Sequence, residues 1–317
     1  MLPDNTMKTM RDSVIDQIYA EMQHNDNIFF LSADFGAPAL DQIRKEYADR
    51  FVNVGIAEQN LINVATGLAL EGYCVYAYAI AGFITMRAFE QVRTNLALMS
   101  QERDLNVTLI GVGAGVSYDM SGPSHHCLED ISIMRTLPNM VVCSPSDWGM
   151  ARAFIPYSIK CKGPKYLRLD SKPVPCLYSE GREFDWEAGF YQVETGKDVC
   201  IITTGVTTRH AVEILRDEGD PLSNVGLIDV FMLNSCDNHE LVNCLKQYKK
   251  VVTLEEGFKG KGGLDSLIAN LIVQNNLSVE MTGLGFEPQY AFSSETRSSL
   301  YGKNGMSKQH ILAAIKR

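Results

Sequence analysis

Apolar runs of strand length recur along this chain, and between them lie stretches with helical spacing. Residues 74–79 (CVYAYA) and 105–112 (LNVTLIGV) carry no regular polar alternation. A strand with one face in water would alternate, so these strands are expected inside a parallel sheet covered on both faces. Shorter runs at 28–31, 51–54, 140–143 and 165–169 predict further strands. Helices are predicted over 7–22, where Val14, Ile15, Ile18 and Met22 recur at helical spacing, over 60–70, and over 147–159 with Ser146 or Asp147 as cap. Residues 170–187, with Pro173, Pro175 and Gly181, read as a linker. A second series follows: strands at 199–203, 225–230 and 251–254, and helices at 210–217, 239–246, 264–273 and 307–315. The expected architecture is α/β: two domains, 1–180 and 190–317, each a mainly parallel sheet with helices on both faces.

Composition narrows the functional classes. The 317 residues are enough for two sizeable cores. A net charge of −9 with no basic cluster argues against nucleic-acid and acidic-membrane partners. No apolar run reaches the roughly 18 residues of a membrane span. The first twelve residues are polar and mixed in charge, unlike a signal peptide, so a cytoplasmic location is expected. The eight cysteines (74, 127, 143, 161, 176, 200, 236 and 244) are scattered and form no CxxC pair. Neither a zinc site nor a redox motif is suggested, and reduced, mostly buried thiols are expected.

Three segments lie just past predicted strands, where open α/β sheets bind ligands. In Val54-Gly55-Ile56-Ala57-Glu58-Gln59-Asn60 a glutamate opens an apolar helix. There it serves either the helix dipole or a desolvated proton-transfer site. In Gly82-Phe83-Ile84-Thr85-Met86-Arg87-Ala88-Phe89 the residues Phe83, Met86 and Phe89 recur every three positions. They form either a core stripe or an aromatic pocket for a heteroaromatic ring. Ser121-Gly122-Pro123-Ser124-His125-His126 places two histidines in a turn, solvated or suited to proton transfer near neutral pH. The helix with Ile62, Ala65, Ala69 and Leu70 is apolar on more than one side, which suits a core or a subunit interface.

Together these motifs resemble the pyrimidine-binding half of transketolase and 1-deoxyxylulose-5-phosphate synthase. The resemblance includes Ser32-Ala33-Asp34, Pro138-Asn139-Met140 and Ser144-Pro145-Ser146-Asp147. In the second domain Leu254-Glu255-Glu256-Gly257 and Gly262-Gly263-Leu264 resemble the family's C-terminal domain. The resemblance implies a thiamine diphosphate enzyme. Glu58 falls on the glutamate that hydrogen-bonds the aminopyrimidine N1′ and so promotes loss of the thiazolium C2 proton, before attack on a ketose or 2-oxo acid carbonyl. Phe83, Met86 and Phe89 fall in the aminopyrimidine pocket, and Asp34 near the thiazolium side. His125 falls on a donor-contacting histidine, whereas His126 has no clear counterpart in transketolase. Arg11 falls on an acceptor-binding arginine.

The pattern also departs from the family. The GDG motif that holds the diphosphate through a metal is missing. The one Gly-Asp pair, Gly219-Asp220, is followed by Pro221. The resemblance therefore implies a separate partner subunit carrying the diphosphate-binding domain and most of the contacts to Mg²⁺ (or Ca²⁺), in an α2β2 heterotetramer. Phosphate-binding positions are altered too: Ser121 stands where the family has aspartate and Gly113 where it has histidine. A third falls near Ser171, with Lys172 and Arg168 close by. Asp119 and Ser121 are candidates for reshaping recognition of substrate hydroxyls. The leading reading is a split transketolase transferring a two-carbon ketol unit between sugars. The alternatives are a decarboxylating acyl transfer from a 2-oxo acid such as pyruvate, and a non-catalytic subunit that keeps the fold.

Overall fold

A computed structural model describes residues 6–178, 181–218, 222 and 224–316. The Gly219-Asp220-Pro221 loop and the chain ends of the expected domains, 1–5, 179–180 and 317, lie outside the described residues. Two sheets form. The first contains β1 (Ile28–Ser32), β2 (Phe51–Asn53), β3 (Cys74–Ile80), β4 (Val107–Val112), β5 (Val141–Cys143) and β6 (Pro164–Leu169). Its order is β2-β1-β3-β4-β6-β5 and every pairing is parallel. Strand β4 is buried along its whole length, which is why its sequence lacks alternation.

The second sheet contains β7 (Phe190–Glu194), β8 (Val199–Thr203), β9 (Val225–Val230), β10 (Lys250–Phe258) and β11 (Glu280–Phe286), in the order β11-β10-β8-β9-β7. It is parallel except for β7, which runs antiparallel to β9 at the edge. Neither β7 nor β11 is predicted from sequence. β7 is half-buried, and β11 is an edge strand carrying Gly283 and Gly285, so neither makes an apolar run. No helix among the described residues is long and apolar enough to cross a membrane.

Several expectations need adjustment. The first helix starts at Met10, not residue 7, because the Thr9 side chain caps it by accepting the Asp12 N–H. Asp147 caps helix Trp148–Lys160 by accepting the Met150 N–H at 2.7 Å. Ser146 instead donates to Asp229 in the second domain. The expected linker is a packed strap in its first half: Val174, Cys176, Leu177 and Tyr178 are buried, and Asp147 accepts the backbone N–H groups of Leu177 and Tyr178. In helix Glu58–Leu70, residues Ile62, Ala65 and Ala69 belong to this chain's own core, and only Leu70, 40% exposed, faces outward.

Edge strand β5 ties the two sheets together. The Ser144 N–H donates to Phe231 O and the Leu233 N–H to Val142 O, both at 2.8 Å. Buried apolar clusters then run through both domains. All eight cysteines are free; five are buried and Cys161, Cys236 and Cys244 are half-buried.

Candidate functional site

Strand order in the first sheet reverses between β1 and β3, and the carboxyl ends of such strands open a crevice. Asp34 follows β1, Glu58 follows β2, Phe83 follows β3, and the loop carrying His125 follows β4. The sheet therefore delivers four sequence-predicted residues to one edge.

Glu58 is the first residue of its helix and only 3% exposed. Arg87 Nη1 donates to its Oε2 at 2.8 Å, while Oε1 has no hydrogen-bond partner among the described residues. The same guanidinium lies 4.6 Å from the centre of the Phe83 ring. Nothing in the sequence singles out Arg87 itself. A signal for its neighbourhood exists, however, in the spacing of Ile84, Ala88, Val92 and Leu96. All four are fully buried and recur every four residues, wider than the α-helical 3.6. Segments Phe83–Arg87 and Val92–Leu98 are indeed π-wound, a winding common at functional sites. The buried stripe is thus Ile84–Leu96, not the Phe83–Met86–Phe89 series. Phe83 is half-buried at the crevice, Met86 is 39% exposed, and Phe89 packs against the apolar core.

His125 sits edge-on to Phe83 with ring centres 5.7 Å apart, and edge-on to Tyr118 at 6.3 Å. Its Nδ1 lies 3.1 Å from Ser124 Oγ. His126 is buried, with Nε2 3.2 Å from Asp119 O, and so tethers the turn. Tyr118 reaches its place because residue 113 is glycine: a Cβ there would lie 2.2 Å from the Tyr118 ring. Arg11 is gripped by the Asp12 carboxylate at 2.8 and 3.1 Å. That hydrogen bond raises its pKa against the effect of burial, and the phenols of Tyr78 and Tyr118 are near enough to add to it.

Asp34 is exposed and adopts a positive φ of 53°. Its side chain accepts from Asn53 Nδ2 at 2.9 Å. Phe35 beside it stacks on Tyr78 at 4.9 Å.

The second domain reaches this site, which the sequence does not reveal. Glu256 Oε2 accepts the Val116 N–H at 3.1 Å, and Gly115 allows that approach. Tyr301 donates to Glu256 Oε1 at 2.6 Å, and Arg297 pairs with the same oxygen at 3.0 Å and also with Asp170. Burial opposes ionisation of Asp119, but Lys172 and the Arg297 N–H donate to it and hold its carboxyl below the usual range. Asp119 is therefore committed to the interdomain network and not to substrate hydroxyls; Ser121 stays exposed in the turn. Lys172 is engaged by Asp119, and buried Arg168 by Asp130 at 2.8 Å, so neither is a free cation for a phosphate. Glu255 accepts the Leu264 and Asp265 N–H groups at the start of helix Leu264–Gln274.

Comparison with known proteins agrees with this geometry. Residues 6–175 match the transketolase pyrimidine binding domain and residues 190–311 the transketolase C-terminal domain. One of the two subunits of an apulose-4-phosphate transketolase from Actinobacillus succinogenes is 32% identical over 80% of each chain. The 6-deoxy-6-sulfo-D-fructose transketolase subunit SqwH of Clostridium sp. strain MSTE9 is 30% identical over 84% of this chain and 81% of that protein. A solved structure described as a split gene transketolase, inactive beta4 tetramer, superposes with a TM-score of 0.86 over 97% of both chains at 30% identity. The chain belongs to the transketolase family, of which it carries the pyrimidine-binding and C-terminal domains.

Proposed function

We propose that this chain is one subunit of a split transketolase that moves a two-carbon ketol unit between sugars, with thiamine diphosphate shared with a second subunit. The observation that carries the reading is the buried Glu58 carboxylate, one oxygen free, beside the half-buried Phe83 ring and His125. The reading takes residues 1–180 as the pyrimidine-binding domain and 190–317 as the C-terminal domain, in a cytoplasmic enzyme.

The residues fit an aminopyrimidine. A flat nitrogen donor, the Arg87 guanidinium, already meets Glu58 and the Phe83 face together. When bound, the cofactor supplies a thiazolium carbon nucleophile for the two-carbon fragment. Glu58 exchanges a proton with the ring nitrogen through its free oxygen. Phe83 gives the ring an apolar stacking surface, with Met86 at the rim. His125 is placed to hold or move a proton at a donor hydroxyl, and Asp34 lies at the thiazolium side. Arg11, beneath Tyr118, meets the acceptor. With Lys172 and Arg168 internally paired, the reading favours an acceptor that does not depend on them for a phosphate.

Two features support a partner. The sequence has no GDG motif. Ile56, 77% exposed, and Met86 also leave an apolar rim beside Glu58, which a second subunit carrying the diphosphate and Mg²⁺ sites would cover. The test is co-purification with a GDG-bearing subunit, followed by calorimetric titration of thiamine diphosphate with Mg²⁺. Binding to the complex, with little to either subunit alone, is expected, together with turnover of a ketose donor. Turnover of a 2-oxo acid instead would replace the reading with decarboxylating acyl transfer. Absence of binding to the complex would replace it with a non-catalytic role.

A further inference from the structure

We infer that Arg87 is a positioning residue for Glu58, acting on the proton step through that carboxylate; this rests on the thiamine diphosphate reading above. A nearly fully buried carboxylate needs a partner for its charge, and Arg87 is the cation that meets it. The contact is one-sided. A single N–H takes Oε2 at 2.8 Å and leaves Oε1 unpartnered among the described residues. With one oxygen tethered, rotation about the terminal bond of Glu58 is blocked, and the other oxygen has a fixed direction.

The tether is itself held. Phe83 and Arg87 are the two ends of one π-wound turn, and the guanidinium lies over the Phe83 ring at 4.6 Å. The aromatic ring and the carboxylate are therefore registered to each other through one side chain. Arg87 keeps all its protons throughout; it only donates a hydrogen bond, and the transferred proton moves between Glu58 and the ring nitrogen. Its side chain is 48% exposed while that of Glu58 is 4% exposed. Removing the guanidinium therefore frees the carboxylate without opening the core.

The test uses the complex with its partner subunit and three variants: Arg87→Met, Arg87→Lys and Glu58→Gln. Three quantities are read: the thiamine diphosphate Kd by calorimetry, deuterium exchange at the thiazolium C2 by NMR of quenched samples, and kcat and KM for a ketose donor. General acid–base groups contribute about 10²–10⁴-fold, so a group acting through one is expected to show at least about a tenfold fall in exchange and kcat in Arg87→Met. Donor KM should stay within about twofold, and Arg87→Lys should recover most of the loss. The decisive sign is that Arg87→Met adds no further loss to Glu58→Gln, because the two act in one step. Losses that multiply, or wild-type exchange in Arg87→Met, would overturn the inference alone. Failure of the wild-type complex to bind thiamine diphosphate would overturn the functional reading and this inference with it.

Discussion

Asn53 and Asp34 hold each other across the ends of two neighbouring strands. The Asn53 side-chain oxygen accepts the Asp34 backbone N–H at 3.0 Å, and its amide donates to Asp34 Oδ1 at 2.9 Å. The same oxygen accepts the Gly55 N–H at 3.0 Å. One amide thus fixes both the left-handed turn at Asp34 and the turn that leads into Glu58. Asn53→Ala should weaken thiamine diphosphate binding by the complex about tenfold, for a loss of roughly 1–1.5 kcal/mol in positioning. The site is exposed, so the unfolding midpoint in urea should move little. Calorimetry and urea denaturation on the same preparation check both halves, and unchanged affinity would remove Asp34 from the cofactor's surroundings.

Glu58→Gln keeps the size and one hydrogen-bonding oxygen of the side chain but cannot exchange a proton. Turnover of the reconstituted complex should fall by ~10²–10⁴. Binding of the partner subunit, followed by analytical ultracentrifugation, should be unchanged. A complex that retained full turnover would end the proton-transfer role of Glu58.

Arg297→Ala leaves two buried carboxylates, Asp170 and Glu256, without their shared cation. Breaking a buried pair from one side costs about 3–5 kcal/mol. Glu256 also holds the Val116 N–H in the loop that carries His125. A fall in stability accompanied by a raised donor KM is therefore expected, measured by urea unfolding and by steady-state kinetics.

These contacts mark the limit of what the sequence reveals. Strands such as β4 and β9 are legible because burial on both faces demands an unbroken apolar run, and Asp34, Glu58 and Phe83 are legible because each follows such a run. Edge strands β7 and β11 bury one face or less and leave no run to read. Arg87 and Glu58 are 29 residues apart, and Glu256 and Val116 are 140 apart. Local spacing cannot report pairs that form only when the sheet and the second domain close. The π-wound segment is intermediate: its every-four-residue burial is written in Ile84, Ala88, Val92 and Leu96, but three-residue aromatic spacing masks it.

Gly113→Ala places a methyl group 2.2 Å from the Tyr118 ring, at a φ of 99°. Both the clash and the backbone conformation disfavour it, at a cost of about 1–3 kcal/mol each. Tyr118 should swing away from His125. The thermal midpoint should fall, and acceptor KM should change more than donor KM, because Tyr118 adjoins Arg11. Equal KM values in the two proteins would place Tyr118 outside the acceptor's reach.

Stability should fall as the pH rises toward neutrality, because two carboxyls are buried where charge is costly. Burial pushes Asp229 up to about 7, against hydrogen bonds from Ser146, Tyr178 and Thr208. Burial likewise pushes Glu255 up to about 7, against the Asp265 and Leu264 N–H groups. In the unfolded chain both titrate at about 4. Between about pH 4 and 7 the folded state therefore binds more protons than the unfolded one, and stability drops with rising pH across that window. Above it the full penalty applies, at most ~4 kcal/mol per group by linkage. Asp229→Asn removes one ionisation and keeps an acceptor for the three hydroxyls, so its stability should decline less steeply. Urea unfolding from pH 5 to 8 on both proteins measures the slopes, and parallel slopes would mean that Asp229 titrates no differently when folded.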